Sequence, residues 1–206
     1  MLRRKRPEPA PEPVPESLLP DEPVQLDWDA DSSDETARNP ADYEPRPSRV
    51  RVHVADEDSG EEIDLETWRA YAGSVFQAEG VVGPGESTLL FVSSDAMALL
   101  NKIHMGHDGP TDVLSFPIDG DDHIMGVDVR LVGDIVICPA VARANAATHA
   151  GTFENELALL ITHGVLHLLG HDHAEREERD RMWEREKALL GEFWGDLPAG
   201  AWKQDE

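Results

Sequence analysis

The run Thr162-His163-Gly164-Val165-Leu166-His167-Leu168-Leu169-Gly170-His171-Asp172-His173 constrains this chain more than any other stretch. Four of its twelve residues are histidines, set among Val165, Leu166, Leu168 and Leu169. A helix through residues 158–169 puts His163 and His167 on one face, one turn apart. Gly170 is placed to end that helix in a left-handed cap, turning the chain back so that His173 reaches the third corner of a site. Imidazoles in so apolar a helix cost free energy on burial unless each ring finds a partner. The fold must therefore bury this helix and still satisfy its rings, and one metal ion shared by His163, His167 and His173 does so. Three neutral imidazoles suit zinc, and three protein ligands leave a fourth position open, as in a catalytic rather than a structural site.

Neighbouring residues are less determined. Asp172 is placed either to hold a liganding imidazole through its free ring N–H or to turn the chain after Gly170. His171 reads as an alternate ligand or, more simply, as a hydrogen-bonding neighbour of the site or an exposed residue. His53, His104 and His149 stand singly, where a satisfied structural histidine is the simpler reading. The spacing His-x-x-x-His-x-x-Gly-x-x-His is shared with metzincin proteases, in which a glutamate follows the first histidine as general base. Here that position is Gly164, so peptide hydrolysis by that route lacks its proton acceptor.

The 206 residues suffice for one ordinary domain. Residues 1–48 hold ten of the 15 prolines, mixed with Glu, Asp and Ser. So few apolar side chains cannot offset the entropy of ordering, which predicts a disordered acidic extension ahead of a hydrolase domain over residues 49–206. The N-terminus lacks the apolar stretch of a secretory signal and no run is long enough to span a membrane, so a cytoplasmic protein is expected. Cys138 is the single cysteine, which leaves no disulfide framework and no thiolate cluster, and its apolar surroundings predict a buried side chain. A net charge of -24 repels nucleic acid at long range.

Within the domain, Val50, Val52 and Val54 alternate with polar residues as a half-buried strand does. Asp64 caps a helix with Leu65, Trp68, Ala72, Val75 and Phe76 on one face. Residues 87–93 form a second strand, and Ser94 caps a helix turning Met97, Leu100 and Ile103 inward. After a polar loop comes the strand 113–117, whose Pro117 belongs at an end or an edge. Residues 119–128 read as a mobile acidic loop, 131–138 as another strand, and Pro139 as the first turn of a helix. Glu154 opens the histidine helix, and a charged helix over 174–190 carries a narrow stripe of Met182, Trp183, Leu189 and Leu190. The pattern predicts an α+β fold, a small mixed β-sheet packed with helices, with the metal site on a helix of the C-terminal half and the turn after it.

The histidine run, together with Pro110-Thr111-Asp112-Val113-Leu114-Ser115-Phe116-Pro117 and Leu131-Val132-Gly133-Asp134-Ile135, closely resembles the YbeY family of bacterial endoribonucleases and ribosomal RNA maturation factors. The resemblance covers roughly residues 50–190. It implies a zinc-dependent, single-strand-specific endoribonuclease acting in 16S ribosomal RNA 3′-end maturation and ribosome quality control, with ribosomal RNA and the small subunit as partners and neither membrane nor DNA. It also implies that the family's three metal histidines fall on His163, His167 and His173. Zinc lowers the pKa of bound water to near ~7, which suits phosphodiester hydrolysis without a strong base. No side chain is assigned as general acid or base. Asp112, Ser115 and Phe116 are candidates for a substrate groove, Phe116 by stacking on an unpaired base, with ordinary strand packing as the alternative. This chain carries His171 where the family commonly has Tyr, and Met105 where many members have an Arg, for which Lys102 or Arg51 would have to substitute. A ribosome-assembly factor with structural zinc is the rival function. RNA binding by so acidic a chain further expects the acidity to be concentrated in the N-terminal extension.

Overall fold

The computed structural model describes residues 50–81, 84–118 and 129–202. The acidic extension expected over residues 1–48 and the loop expected over 119–128 lie outside them. Strand β1 (Val50–Glu57) is followed by helix α1 (Leu65–Ala78), β2 (Gly85–Val92) and α2 (Ser94–His104). Then come β3 (Val113–Pro117), β4 (Arg130–Ile137), α3 (Pro139–Ala146), α4 (Phe153–Leu168), α5 (Arg176–Phe193) and a 3-10 turn, Ala199–Trp202. Helix starts follow side-chain chemistry. Asp64 Oδ1 accepts the Glu66 and Thr67 N–H groups at 3.2 Å, and Thr152 accepts that of Asn155 at 3.2 Å. Ser93, one residue before the expected Ser94, caps α2.

The strands form one sheet in the order β1-β2-β4-β3. β1, β2 and β4 run parallel and β3 pairs antiparallel to β4, so the sheet is mixed and the architecture is α+β. Pro117 ends the edge strand, where its missing N–H costs least. Both faces of the central strands are covered toward their C-terminal ends, where residues 89–92 and 135–137 read as short continuous apolar runs. Leu89, Phe91, Ile135 and Ile137 face a core shared with α1, α4 and α5. Leu90, Val92 and Val136 face a smaller cluster with α2, which also holds the buried Cys138.

Helix α2 departs from the expected pattern. Met97 and Asn101 form its buried stripe, Asn101 donating to the Gly109 carbonyl at 2.9 Å, and this rotation leaves Ile103 64% exposed rather than inward. Leu99 and Met105 are exposed beside it.

β4 carries an irregularity where Glu86 pairs with Leu131 and Ser87 with Gly133, leaving Val132 over. Gly133 has φ +138°, and a Cβ there would sit 2.4 Å from the Phe116 carbonyl and 2.8 Å from Leu168. Gly133→Ala is therefore expected to lose about 1–3 kcal/mol through overpacking and backbone strain. Thermal unfolding should show a melting point several degrees lower, and an unchanged one would contradict this account of the β3–β4 contact.

Candidate metal centre

Helix α4 is buried along most of its length, from Phe153 to Leu168. Its contact with the sheet is close at Gly164, where an added Cβ would lie 2.8 Å from the Ile135 side chain. That position faces β4 and has no room for a side chain. The general-base glutamate of the metzincin pattern is thus excluded by packing as well as by sequence. His163 and His167 lie off to one side of this contact, toward α5. Thr162 is buried beside them, donating to the Ala158 carbonyl at 2.9 Å and accepting from Tyr71 Oη at 2.7 Å. Burial pushes the Tyr71 phenol up to about 12.

The helix ends as its sequence predicts. Gly170 adopts φ +87°, with its N–H donating to His167 C=O at 3.0 Å and the His171 N–H to Leu166 C=O at 3.0 Å, a Schellman cap. Asp172 Oδ1 then accepts the backbone N–H groups of His173 (2.7 Å) and Ala174 (3.3 Å). These bonds hold its carboxyl below the usual carboxylate range. Of the two roles open to Asp172, the structure shows the turn, with no hydrogen bond to an imidazole.

His173 is thereby returned to α4. The ring centroids of His163 and His167 are 4.5 Å apart, those of His167 and His173 4.9 Å, and those of His163 and His173 5.3 Å. One nitrogen from each ring lies within 4.8 Å of the others. Tetrahedral zinc sites place ligand nitrogens about 3.3 Å apart, so a small closure of the His173 ring suffices.

The hydrogen bonds behind the rings make the arrangement more specific. His167 Nδ1 lies 3.0 Å from the His171 carbonyl, which can only accept, so Nδ1 carries the proton and Nε2 presents a lone pair. His163 Nδ1 lies 2.8 Å from Glu186 Oε1 and donates in the same way. The two Nε2 atoms are then 3.0 Å apart, with the His167 lone pair turned toward His163 Nε2. With both rings neutral, a metal ion is a partner that the two Nε2 atoms can share. Burial, followed by the charges of His163 and His173, lowers the His167 pKa to about 4, so the ring stays neutral, the form a metal ion requires. His163 and His167 are half-buried and His173 exposed, which opens the cluster on one side. These donors fit a three-histidine metal ion.

Other singled-out residues lie elsewhere. Asp112 accepts the Val113 N–H at 2.8 Å and the Thr111 hydroxyl at 3.2 Å, capping the start of β3. Ser115 Oγ is 3.5 Å from the Gly164 carbonyl, beside α4. Phe116 packs on the α2 side, edge-on to His104 at 4.8 Å. Adjacent strand residues point to opposite faces, so Ser115 and Phe116 do not line one groove together with their side chains. Lys102 pairs with Asp108 at 2.5 Å, and Arg51 with Glu86 at 3.6 Å on the far edge of the sheet, so both are already engaged. His171 contributes its carbonyl rather than its ring, which lies 3.7 Å from Glu79. His149 pairs with the buried Glu156 at 2.8 Å, an interaction that raises its pKa. His53 lies 3.4 Å from Glu86.

Glu186 escaped the sequence reading. It occupies the Met182, Leu189 and Leu190 stripe of α5 and is 1% exposed. A carboxylate inside an apolar helical stripe was the available signal.

A mixed α+β sheet carrying a buried helix with two convergent imidazoles, completed by a third from the turn behind it, defines a candidate three-histidine metal protein. The family model "Endoribonuclease YbeY" matches residues 53–194. A protein of Salinispora tropica named endoribonuclease YbeY is 42% identical over 152 residues, 70% of this chain and 96% of that one. A protein of the same name in Frankia casuarinae is 40% identical over 152 residues, covering 71% and 76%. The solution structure of TM1509 from Thermotoga maritima, 29% identical, covers 75% of this chain and 97% of its own with a TM-score of 0.45. The chain belongs to the YbeY family.

The low His167 pKa has a defined sign. Below 6.5 the unfolded chain protonates this ring, whereas the folded chain does not until about 4. Metal-free protein is therefore expected to lose stability as pH falls from 6.5 toward 4, with this contribution complete above 6.5. NMR titration of the ring in metal-free protein should give a midpoint near 4, and one near 6.5 would contradict the arrangement.

Proposed function

We propose that this chain is a zinc-dependent, single-strand-specific endoribonuclease that acts on the 3′ end of 16S ribosomal RNA during small-subunit maturation and quality control in the cytoplasm. The observation that carries this reading is the convergence of His163, His167 and His173, with two Nδ1 atoms committed elsewhere and two Nε2 atoms 3.0 Å apart. The names of the 40–42% identical relatives support RNA as the substrate. Zinc held there supplies water activated near neutral pH and positive charge for a phosphoryl oxygen. The chain keeps His163 and His167 oriented for ligation, and leaves the exposed His173 side open to a substrate as large as RNA. Among the described residues no helix is long and apolar enough to cross a membrane.

Two observations favour an assembly factor with structural zinc. Met105, at the family's arginine position, is 58% exposed and apolar. Acidic side chains also outnumber basic ones by more than two to one within the described residues, so the acidity is not confined to the N-terminal extension. Against that reading, structural zinc sites are closed by four protein ligands, and this cluster offers three with one exposed. The acidic surface repels free RNA and an RNA-rich subunit alike at long range, so either substrate would have to be held by short-range contacts.

The test is cleavage of a labelled 16S 3′-end precursor, free and within small subunits, by the zinc-loaded full chain and by His163→Ala. Cleavage and zinc retention are expected to fall together in the variant, cleavage by at least about 100-fold. A variant that keeps both would contradict the site. Subunit binding by a zinc-loaded wild type that does not cut would favour the assembly factor.

A further inference from the structure

We infer that Glu186 is a positioning residue that sets the metal affinity of the histidine cluster by placing a buried negative charge behind His163. This rests on the metal reading above. Met182, Glu186, Leu189 and Leu190 follow one another at helical spacing and are all buried on the inner face of α5. A leucine at 186 would complete an ordinary apolar stripe. A carboxylate there costs free energy unless it is paired. Arg185, next in the chain, does not neutralise it, since its guanidinium bonds Glu79 at 2.5 Å and the Ala78 carbonyl at 3.3 Å. Glu186 instead accepts from His163 Nδ1 at 2.8 Å, with side-chain exposures of 2% and 26%.

The two α4 imidazoles are therefore backed unequally. His167 donates to a neutral carbonyl, His163 to a carboxylate. Both contacts fix the tautomer that aims Nε2 at the site, but only Glu186 adds charge. That charge makes His163 Nε2 the more electron-rich donor and attracts a bound cation directly in a poorly solvated setting. Glu186 thus acts through His163 and touches neither metal nor substrate.

The test compares wild type, Glu186→Gln and Glu186→Leu in the full chain, measuring zinc dissociation by competition with a chromophoric chelator and thermal unfolding of the metal-free forms. Gln keeps an acceptor for Nδ1–H and removes the charge, and Leu removes both while matching the stripe. Zinc affinity is expected to fall about 10- to 100-fold in Gln and at least as far in Leu. Metal-free Gln protein should melt no lower than wild type, because a buried charge is removed while an acceptor still meets Nδ1–H. A merely structural Glu186 would give the reverse pattern, a lower melting point with unchanged affinity, and would overturn the inference. Wild-type affinity in both variants overturns it as well, while leaving the three-histidine site standing. Failure of wild type itself to hold zinc overturns the site and this role together.

Discussion

Helix α4 meets the sheet at Gly164, where Ile135 fills the space a side chain would need. This contact sets the helix's depth and rotation together. With Leu157, Ile161, Gly164 and Leu168 turned to the sheet side, His163 and His167 must emerge toward α5, where Glu186 receives one of them. The same burial lowers the His167 pKa and keeps its ring neutral. A looser helix would leave the imidazoles solvated, protonatable and free to rotate. The candidate metal centre is in this sense a by-product of close helix–sheet packing, with polar partners supplied only at the backs of the rings.

Those partners come from different ranges of the chain, and this decides what the sequence could reveal. His163, His167, Gly170 and His173 are locally encoded, because a helical turn and a Schellman cap need only neighbouring residues. The α+β sheet was legible for a similar reason, since strand and helix periodicities differ. Glu186 lies 23 residues beyond His163, and its role exists only once α5 packs on α4. Asp172 was legible only as two alternatives, and the local one formed, since a short carboxylate reaches the next backbone N–H groups more readily than a ring. The spacing of Ile103 from Met97 and Leu100 fits the inner face of an amphipathic helix. Asn101, satisfied by Gly109, took the buried position instead. Ser115 and Phe116 are adjacent in sequence, but strand alternation separates such neighbours onto opposite faces.

The electrostatics narrow the setting in which the cluster can act. An acidic body without an arginine at position 105 has little long-range attraction for RNA. Contacts at short range would have to compensate in any complex with RNA. Because His173 is the exposed member, an incoming phosphodiester would approach from the turn rather than from the sheet. The α2 side carries a separate exposed apolar stretch, Leu99, Ile103 and Met105, on the face of the sheet away from α4.

The central claim is that His163, His167 and His173 close on one metal ion through ring nitrogens and leave a position open. X-ray absorption at the zinc edge of the reconstituted full chain tests it most directly. The account predicts one zinc per chain with three imidazole nitrogens at about 2.0–2.1 Å and a further light oxygen ligand. A coordination shell without imidazole scattering, or one filled by four protein ligands, would contradict it.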